Sequence, residues 1–279
     1  KKYHFYINSK FKNGFMNYGE YLIKGKSKKE ILLCSYICHP SMANNELSGP
    51  LVLTAIAKKI KPSFYTVRII LIPETIGAIA YINKNLKRLN KNLIAGFNLT
   101  CVGDAGKFSI ILSKEENTYA DKLAKRNFKE AKFYSYLHRG SNERQFGCQN
   151  LNLPFVTICR SRFNDFKEYH TSNDNLNFIN ESSLLKTTNK VLKLLNDIQK
   201  NKIYIKNTIC EPFLTKYDLI NHLSLKNNYY LNKNISDVIA YSDKNFDEYE
   251  ICRLLGLTKK KLKLINKVLL KKKIIKKLF

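Results

Sequence analysis

Short apolar runs alternate with helix-like stretches between residues 31 and 200. Runs rich in β-branched and aliphatic residues predict buried strands at 31–38, 65–72, 95–102, 108–112 and 154–159. Apolar residues spaced by three and four predict helices at 47–60, 76–85, 118–130 and after Asn180, a residue suited to capping. This alternation is typical of an α/β fold, with a central, mostly parallel mixed sheet and helices on both faces.

Different patterns flank this region. Aromatic and polar residues alternate from 3 to 24 around Asn13-Gly14, which is a hairpin turn signal. Near the other end, predicted helices separated by Gly256 precede a lysine-rich, β-like segment, as in a winged helix-turn-helix. We therefore predict a small β subdomain or insertion at 1–26, an α/β domain at 27–205 and a winged helix-turn-helix domain at 206–279.

Composition narrows the class of protein. The chain has 279 residues, 44% of them hydrophobic, which is enough for one sizeable core and a smaller second unit. The longest apolar run, at 31–38, has strand length and falls well short of the ~20 residues of a membrane span. The seven cysteines are scattered without a C-x-x-C pair, which predicts free thiols in a reducing, cytoplasmic location and argues against a structural zinc knuckle.

The formal net charge is +27, and lysine supplies most of it. A basic protein attracts nucleic acid, and the lysines at 259–263 and 271–273 could contact DNA phosphates. However, lysine, asparagine and isoleucine are all abundant, as AT-rich coding would produce, and few arginines or asparagines lie where base edges would be read. We therefore expect no nucleic-acid partner and no membrane partner, and interpret the last unit as a packing or dimerisation module, which leaves a homo-oligomer open.

Polar residues concentrate where the predicted strands end. His39 follows the first strand, Glu74 the second and Asp104 the third, and the loop after the strand at 154–159 contains His170. The carboxyl ends of parallel strands meet at one edge of a sheet, where open α/β sheets bind their ligands. Imidazole is the commonest metal ligand, and a catalytic zinc ion requires about three protein ligands with a carboxylate nearby as general base. The pattern predicts a zinc hydrolase site.

Five segments in this order resemble the zinc exopeptidase superfamily of the leucyl aminopeptidases. The resemblance is strongest to a bacterial group in which a winged helix follows an aminopeptidase-like domain and whose genes often lie near surface polysaccharide genes. Members of this group begin upstream of Lys1, so we expect the natural protein to extend in that direction. The segments that carry the resemblance are 38–49, 72–77, 100–104, 139–145 and 169–176.

The resemblance implies a role for three residues. His39 matches the first zinc-ligand histidine, His170 matches the last one, and Glu74 matches the glutamate that serves as general base. At three further positions the chain departs from the active enzymes, which carry metal-binding carboxylates there. The residues at these positions are Asn45, Thr75 and Thr100.

Because amide and hydroxyl groups are far weaker zinc ligands than carboxylates, the resemblance does not support a two-metal site. One zinc ion held by His39, His170 and a substitute carboxylate remains, and Glu46 is the best substitute, followed by Glu143 and Asp104. We assign supporting roles to Asn45, Asp104 and Glu143, and expect Asp174 to support the loop of His170.

Each of these residues also has a structural interpretation. The histidines could be purely structural, with hydrogen bonds to neighbouring polar groups, and Glu46 and Glu74 could stabilise helix N-termini.

Three functions remain open on this basis. The first is a zinc-dependent hydrolase acting on an amide bond of a peptide or amino-sugar derivative. The others are an inactive relative that binds a ligand in the inherited cleft, and a winged-helix protein that binds nucleic acid.

Overall fold

A computed structural model describes residues 1–61, 63–219 and 226–278 of the chain, with the backbone alone at 226–231. Seven strands form the central sheet: β1 Gly19–Ile23, β2 Ser27–Tyr36, β3 Tyr65–Ile72, β4 Leu93–Leu99, β5 Ser109–Ile111, β6 Lys132–Tyr134 and β7 Phe155–Cys159. The helices of this part are α1 Ser48–Lys59, α2 Ile76–Asn92, α3 Tyr119–Asn127, α4 Glu143–Phe146 and α5 Glu181–Lys200.

The strands lie in the order β1-β3-β2-β4-β7-β5-β6. The four central strands β3, β2, β4 and β7 are parallel to one another, whereas β1 runs antiparallel to β3 and β5 runs antiparallel to β7. The sheet is therefore mixed but parallel at its centre. The predicted α/β fold class, with helices on both faces of such a sheet, is confirmed.

The alternation of side chains along β2 separates two cores. Ile31 and Leu33 pack on the face covered by α1, α3 and α5, whereas Leu32 and Cys34 pack on the face covered by α2 and α4. All four side chains are fully buried. Because both faces are covered here, β2 is apolar at every position from Ile31 to Cys34, which is why this part of its sequence is a continuous run.

The predicted hairpin around Asn13-Gly14 is wrong. Residues 1–18 contain no strand, and their large side chains are exposed, with Phe5 at 87% and Phe15 at 94%. A lone two-stranded hairpin is marginally stable because it has no third strand or helix to cover its apolar face. Only the last part of the alternating segment forms a strand. This strand is β1, Gly19–Ile23, which pairs with β3 at the edge of the main sheet.

The last part of the chain has a core of its own. It contains β8 Tyr204–Lys206, α6 Lys226–Ala240, α7 Glu248–Leu255, α8 Lys259–Lys271 and β9 Ile275–Lys277. Asp247 and Thr258 cap α7 and α8, and Gly256 between these helices has a left-handed backbone with φ 63°. β8 pairs antiparallel with β9, so this part also contains a small two-stranded sheet. The winged-helix assignment itself stays a prediction.

A buried ion-pair network joins this part to the α/β part. The Arg126 side chain on α3 is 8% exposed and donates to Asp247 at 2.9 Å and to Asp197 on α5 at 2.6 Å. The Tyr119 hydroxyl also donates to Asp247, at 2.9 Å. Removing one member of such a network would leave a buried charge without its partner.

None of the helices in the described residues is both long enough and apolar enough to cross a bilayer.

We predict that Gly49→Ala destabilises the fold by about 1–3 kcal/mol, because it overpacks a tight contact. A Cβ atom at Gly49 would lie 2.2 Å from Ser35 Oγ and 2.5 Å from the Leu99 carbonyl oxygen. Helix α1 would have to move away from β2 and β4. This loss exceeds the gain of up to ~1 kcal/mol that alanine brings to a helix. Urea denaturation measures the free energy of unfolding.

Gly14→Ala is the matched control, since a Cβ atom there meets nothing within 4 Å. Its free energy of unfolding should equal that of the wild type. A Gly49→Ala protein as stable as the wild type would show that the contact of α1 with the sheet is looser than the structure indicates.

Candidate active site

The candidate site lies at the carboxyl edge of the parallel strands. β2 and β3 end in register, with Tyr36 opposite Ile72, so the loops that follow them emerge side by side. His39 lies in the first loop and Glu74 in the second. His170 lies in the loop between β7 and α5, where its backbone has a left-handed φ of 55°.

His39 lies at the centre of this group. Its Nε2 atom is 3.7 Å from Oε2 of Glu74, and its Nδ1 atom is 3.8 Å from Oε2 of Glu46. The His170 ring, stacked on Tyr169, has its centroid 5.3 Å from that of His39. Burial lowers the pKa of His39, and the nearby His170 lowers it further. His39 is therefore held in the neutral form, which is the form that binds metals.

Glu46 is placed by an unusual turn. Residues Ala43–Leu47 form one π-helical turn before α1, and Glu46 accepts a hydrogen bond from the backbone amide of His39. Burial raises the pKa of Glu46. The turn directs this carboxylate toward the loop after β2, where Glu46 lies beside His39.

Cys38 is a site residue that the sequence interpretation missed. Its thiol was expected to be buried in a strand, but β2 ends at Tyr36 and Cys38 is exposed. Its Sγ atom lies 3.3 Å from Nδ1 of His39 and accepts a hydrogen bond from the Glu74 amide at 3.0 Å. Its position directly before His39, a predicted zinc ligand, was the one feature of the sequence that could have indicated this role.

In the described part of the chain, Cys38, His39 and Glu46 form a group whose potential ligand atoms lie within 4.8 Å of one another. Tetrahedral zinc sites with bonds of ~2.0–2.3 Å place their ligand atoms roughly 3.3–3.8 Å apart. The distances from Nδ1 of His39 to Cys38 and to Glu46, 3.3 Å and 3.8 Å, agree with this spacing. Thiolate, imidazole and carboxylate are also the donors that zinc prefers, so these residues fit one zinc ion.

Glu74 is half-buried and is oriented by hydrogen bonds. Burial raises its pKa to about 7, although a hydrogen bond from Ser141 to Oε1, at 2.5 Å, acts in the opposite direction. This bond leaves Oε2 facing His39. Ser141 is itself positioned by the fully buried Glu143, which accepts from the amides of Gly140 and Ser141. The structure therefore orients Glu74 through two layers of hydrogen bonds.

The other predicted carboxylates bond to the protein. Glu143 also accepts from the Thr157 hydroxyl at 2.6 Å. Asp104 accepts from the Asn44 side chain at 2.9 Å and from the Ser161 hydroxyl at 2.7 Å. These oxygens stabilise the surrounding loops, and neither Glu143 nor Asp104 joins the group around His39.

Asp174 stabilises a different segment from the one expected. It accepts from the backbone amides of Asn44 at 2.6 Å and Asn45 at 2.9 Å, and both residues belong to the π-helical turn. It was predicted to support the loop of His170, in which it lies. Its side chain instead connects that loop to the turn of Glu46, so it fixes both candidate ligands relative to each other.

Neutral groups occupy the positions where the resemblance expects further metal-binding carboxylates. The Asn45 Oδ1 atom accepts from the Tyr36 hydroxyl at 2.7 Å, and the Thr100 hydroxyl lies 2.6 Å from the same phenol oxygen. The buried Nδ2 atom of Asn45 has no hydrogen-bond partner among the described residues. An amide nitrogen is a donor and no metal ligand, so these residues do not fit a second cation.

Comparisons with known proteins identify the family and the fold. The family described as Domain of unknown function (DUF4910) matches residues 4–201. A candidate polysaccharide biosynthesis protein with an aminopeptidase-like domain, from Clostridium acetobutylicum, is 38% identical over 225 residues. The alignment covers 77% of this chain and 50% of the relative, so the chain spans about half the length of that protein.

Two solved structures are similar. A candidate peptidase from Clostridium acetobutylicum has a TM-score of 0.67 at 32% identity, over 93% of this chain and 60% of that one. A zinc aminopeptidase from Bacillus subtilis has a TM-score of 0.55 at 17% identity, over 64% of this chain and 49% of that one. The expected zinc aminopeptidase-like fold is therefore confirmed.

We predict a pH-dependent contribution of Glu74 to stability in protein kept free of metal by a chelator. Its folded pKa of about 7 exceeds the ordinary value of 4.5, so folding favours the protonated carboxyl group. This stability is fully present below about pH 4.5 and is lost as the pH rises through about 7. Relative to Glu74→Gln, the wild type should lose about 1–3 kcal/mol between pH 4.5 and 8.

Chemical denaturation of both proteins across this range measures the difference. Glu211→Gln, which changes an exposed carboxylate, should parallel the wild type at every pH. A constant difference between the wild type and Glu74→Gln would mean that Glu74 titrates as an ordinary carboxyl group.

Proposed function

Because the chain belongs to the DUF4910 family and has the fold of the zinc aminopeptidases, we propose that it is a zinc-dependent hydrolase that cleaves an amide bond. The observation that carries this proposal is the half-buried Glu74 carboxylate, 3.7 Å from the imidazole of His39 and beside potential zinc ligands. A general base next to a metal centre is the arrangement that amide hydrolysis requires.

The proposed zinc ligands are His39 and Glu46, with Cys38 and His170 completing the set. Cys38 meets the distance criterion with His39 and Glu46, whereas the His170 ring lies 5.3 Å from that of His39. When bound, zinc would polarise the carbonyl group of the substrate and lower the pKa of water. The Glu74 amide that donates to Cys38 would stabilise a thiolate there.

Glu74 is the proposed general base. Its pKa of about 7 is close to neutral pH, where a carboxylate can both accept a proton from the attacking water and return it to the leaving amine. The Ser141 hydroxyl holds Oε1, so Oε2 is the atom that exchanges the proton. Burial makes this proton transfer more favourable than it would be for an exposed glutamate, whose pKa is too low.

The substrate class follows from the family and the shape of the site. The relative in Clostridium acetobutylicum is named for polysaccharide biosynthesis and for an aminopeptidase-like domain, which supports an amide of a peptide or of an amino-sugar derivative. A recess of about 400 Å³ beside His39 and Glu46 is bordered by Met42, Leu47 and Leu176. It could receive an apolar group attached to the amide.

A second function is favoured by the neutral groups at Asn45, Thr75 and Thr100. A protein that has lost these carboxylates can bind a ligand in the same cleft without turning it over. The Asn45 Oδ1 atom and the Thr100 hydroxyl both bond to the Tyr36 hydroxyl, so these oxygens have protein partners. Absence of stoichiometric zinc by elemental analysis would favour this binding function over hydrolysis.

We predict that Glu74→Gln lowers kcat by about 10²–10⁴-fold while zinc remains bound, because the variant loses the proton acceptor and keeps the ligands. A panel of aminoacyl arylamides and N-acetylated amino sugars measures turnover, and elemental analysis measures zinc. Glu211→Gln serves as control and should retain full activity. Equal turnover by Glu74→Gln and the wild type, with zinc bound to both, would remove Glu74 from the role of base.

We predict that zinc content separates the ligands from their neighbours. His39→Ala and Glu46→Gln should lose most of the zinc, since each removes one of three or four ligands. Glu143→Gln should keep it, because Glu143 bonds only to protein groups near Glu74. Comparing Cys38→Ser with His170→Ala identifies the remaining ligand. Full zinc occupancy in His39→Ala would contradict the proposed centre.

A further inference from the structure

A strongly basic cavity lies apart from the candidate active site. Its volume is about 600 Å³, and it is bordered by the loop before β5, the end of β7 and one face of α5. Its charged lining residues are Lys107, Glu130, Arg160, Lys186, Lys190 and Lys193. Five cations therefore surround one carboxylate, a balance that favours an anionic ligand.

Arg160 is the buried cation of this cavity. It directly follows β7 and is 7% exposed, and its guanidinium carbon lies 4.9 Å from the centre of the Phe108 ring. Its Nε and Nη1 atoms are buried and have no hydrogen-bond partner among the described residues. A buried charge without hydrogen bonds is costly, so these donors point to an anion from outside the chain.

The nearest acidic group does not satisfy Arg160. Asp104 attracts the guanidinium, but its oxygens accept from Asn44, Gly106 and Ser161, at distances of 2.6–3.2 Å. Burial lowers the pKa of Arg160, and the attraction of Asp104 offsets only part of this effect. Arg160 keeps its charge nonetheless, since arginine stays protonated in proteins.

Helix α5 supplies three of the other four cations, in a single stripe. Lys186, Lys190 and Lys193 follow one another at spacings of four and three, and Asn189 lies three residues after Lys186, so all four border the cavity. Like charges at these spacings destabilise a helix. Glu130 pairs with Lys190 at 2.5 Å, and Lys193 also attracts it. Lys186 and Lys193 are exposed, and neither forms an ion pair among the described residues.

We propose that this cavity binds a small phosphate ester, with Arg160 donating to the phosphate group and the lysines of α5 neutralising its second charge. A guanidinium and clustered lysines match a dianion better than a single carboxylate. The cavity is larger than a bare phosphate ion, so a sugar or nucleoside can occupy the remainder. This site does not depend on the proposed hydrolase activity.

Calorimetric titration of the full chain at low salt tests the proposal. The probes are inorganic phosphate, a hexose 1-phosphate and a nucleoside diphosphate. We expect one saturable site that binds the esters more tightly than phosphate. Arg160→Met should weaken binding by at least about tenfold, because it removes charge-assisted hydrogen bonds. The Lys186→Ala/Lys193→Ala double variant should also weaken binding and reduce its salt dependence.

Lys87→Ala is the matched control, because it removes an exposed lysine from α2, on the opposite face of the sheet. It should bind the probes as the wild type does. If Arg160→Met does not fold, the double variant decides, since Lys186 and Lys193 are exposed. Absence of saturable binding by all three probes, or unchanged affinity in the double variant, overturns the proposal. Binding of duplex DNA without binding of any probe also overturns it.

Discussion

Parallel pairing of β2 with β3 is the interaction on which the candidate active site depends. Because Tyr36 and Ile72 pair at the ends of these strands, His39 and Glu74 emerge from adjacent loops at the same edge of the sheet. The pairing is stable because both faces of β2 are buried, under α1 and α5 on one side and under α2 on the other. The cores thus fix a distance of 3.7 Å between two residues 35 positions apart in the chain.

Burial then gives chemically identical side chains different properties. Glu143 is fully buried but accepts three hydrogen bonds, which stabilise it as a structural acceptor. Glu74 has one side-chain donor, Ser141, and burial raises its pKa to about 7. Glutamates with neutral pKa values are suited to proton transfer, and Glu74 has this property because the effect of its burial outweighs that of its one side-chain donor.

The neutral network around Asn45 changes what the inherited cleft can hold. Tyr36, Asn45 and Thr100 bond to one another where the resemblance expects carboxylates around a second metal ion. Carboxylates clustered at these positions would repel one another, and bound metal ions would offset that repulsion. Neutral side chains at the same positions do not repel one another and therefore need no second metal ion. In the proposed function the site would hold a single ion near His39, and Cys38 and Glu46 would supply ligand types that the aminopeptidase positions no longer offer.

The amino-acid sequence by itself determined the strands at the centre of the sheet, the cap of α5 at Asn180, and the placement of His39, Glu74 and His170 after strands. These are properties of local periodicity and of residues at strand ends, which neighbouring positions largely specify. The sequence also predicted a hairpin before residue 19, since local alternation does not reveal whether an apolar face will find anything to cover it.

Tertiary structure alone decided which groups meet. It made Cys38 a potential ligand by ending β2 two residues earlier, and it committed Asp104, Glu143 and Asp174 to hydrogen bonds with distant loops. It also left the buried Arg160 donors without a protein partner among the described residues. Each of these outcomes depends on contacts between residues far apart in the chain, whose distances and solvation no local pattern encodes.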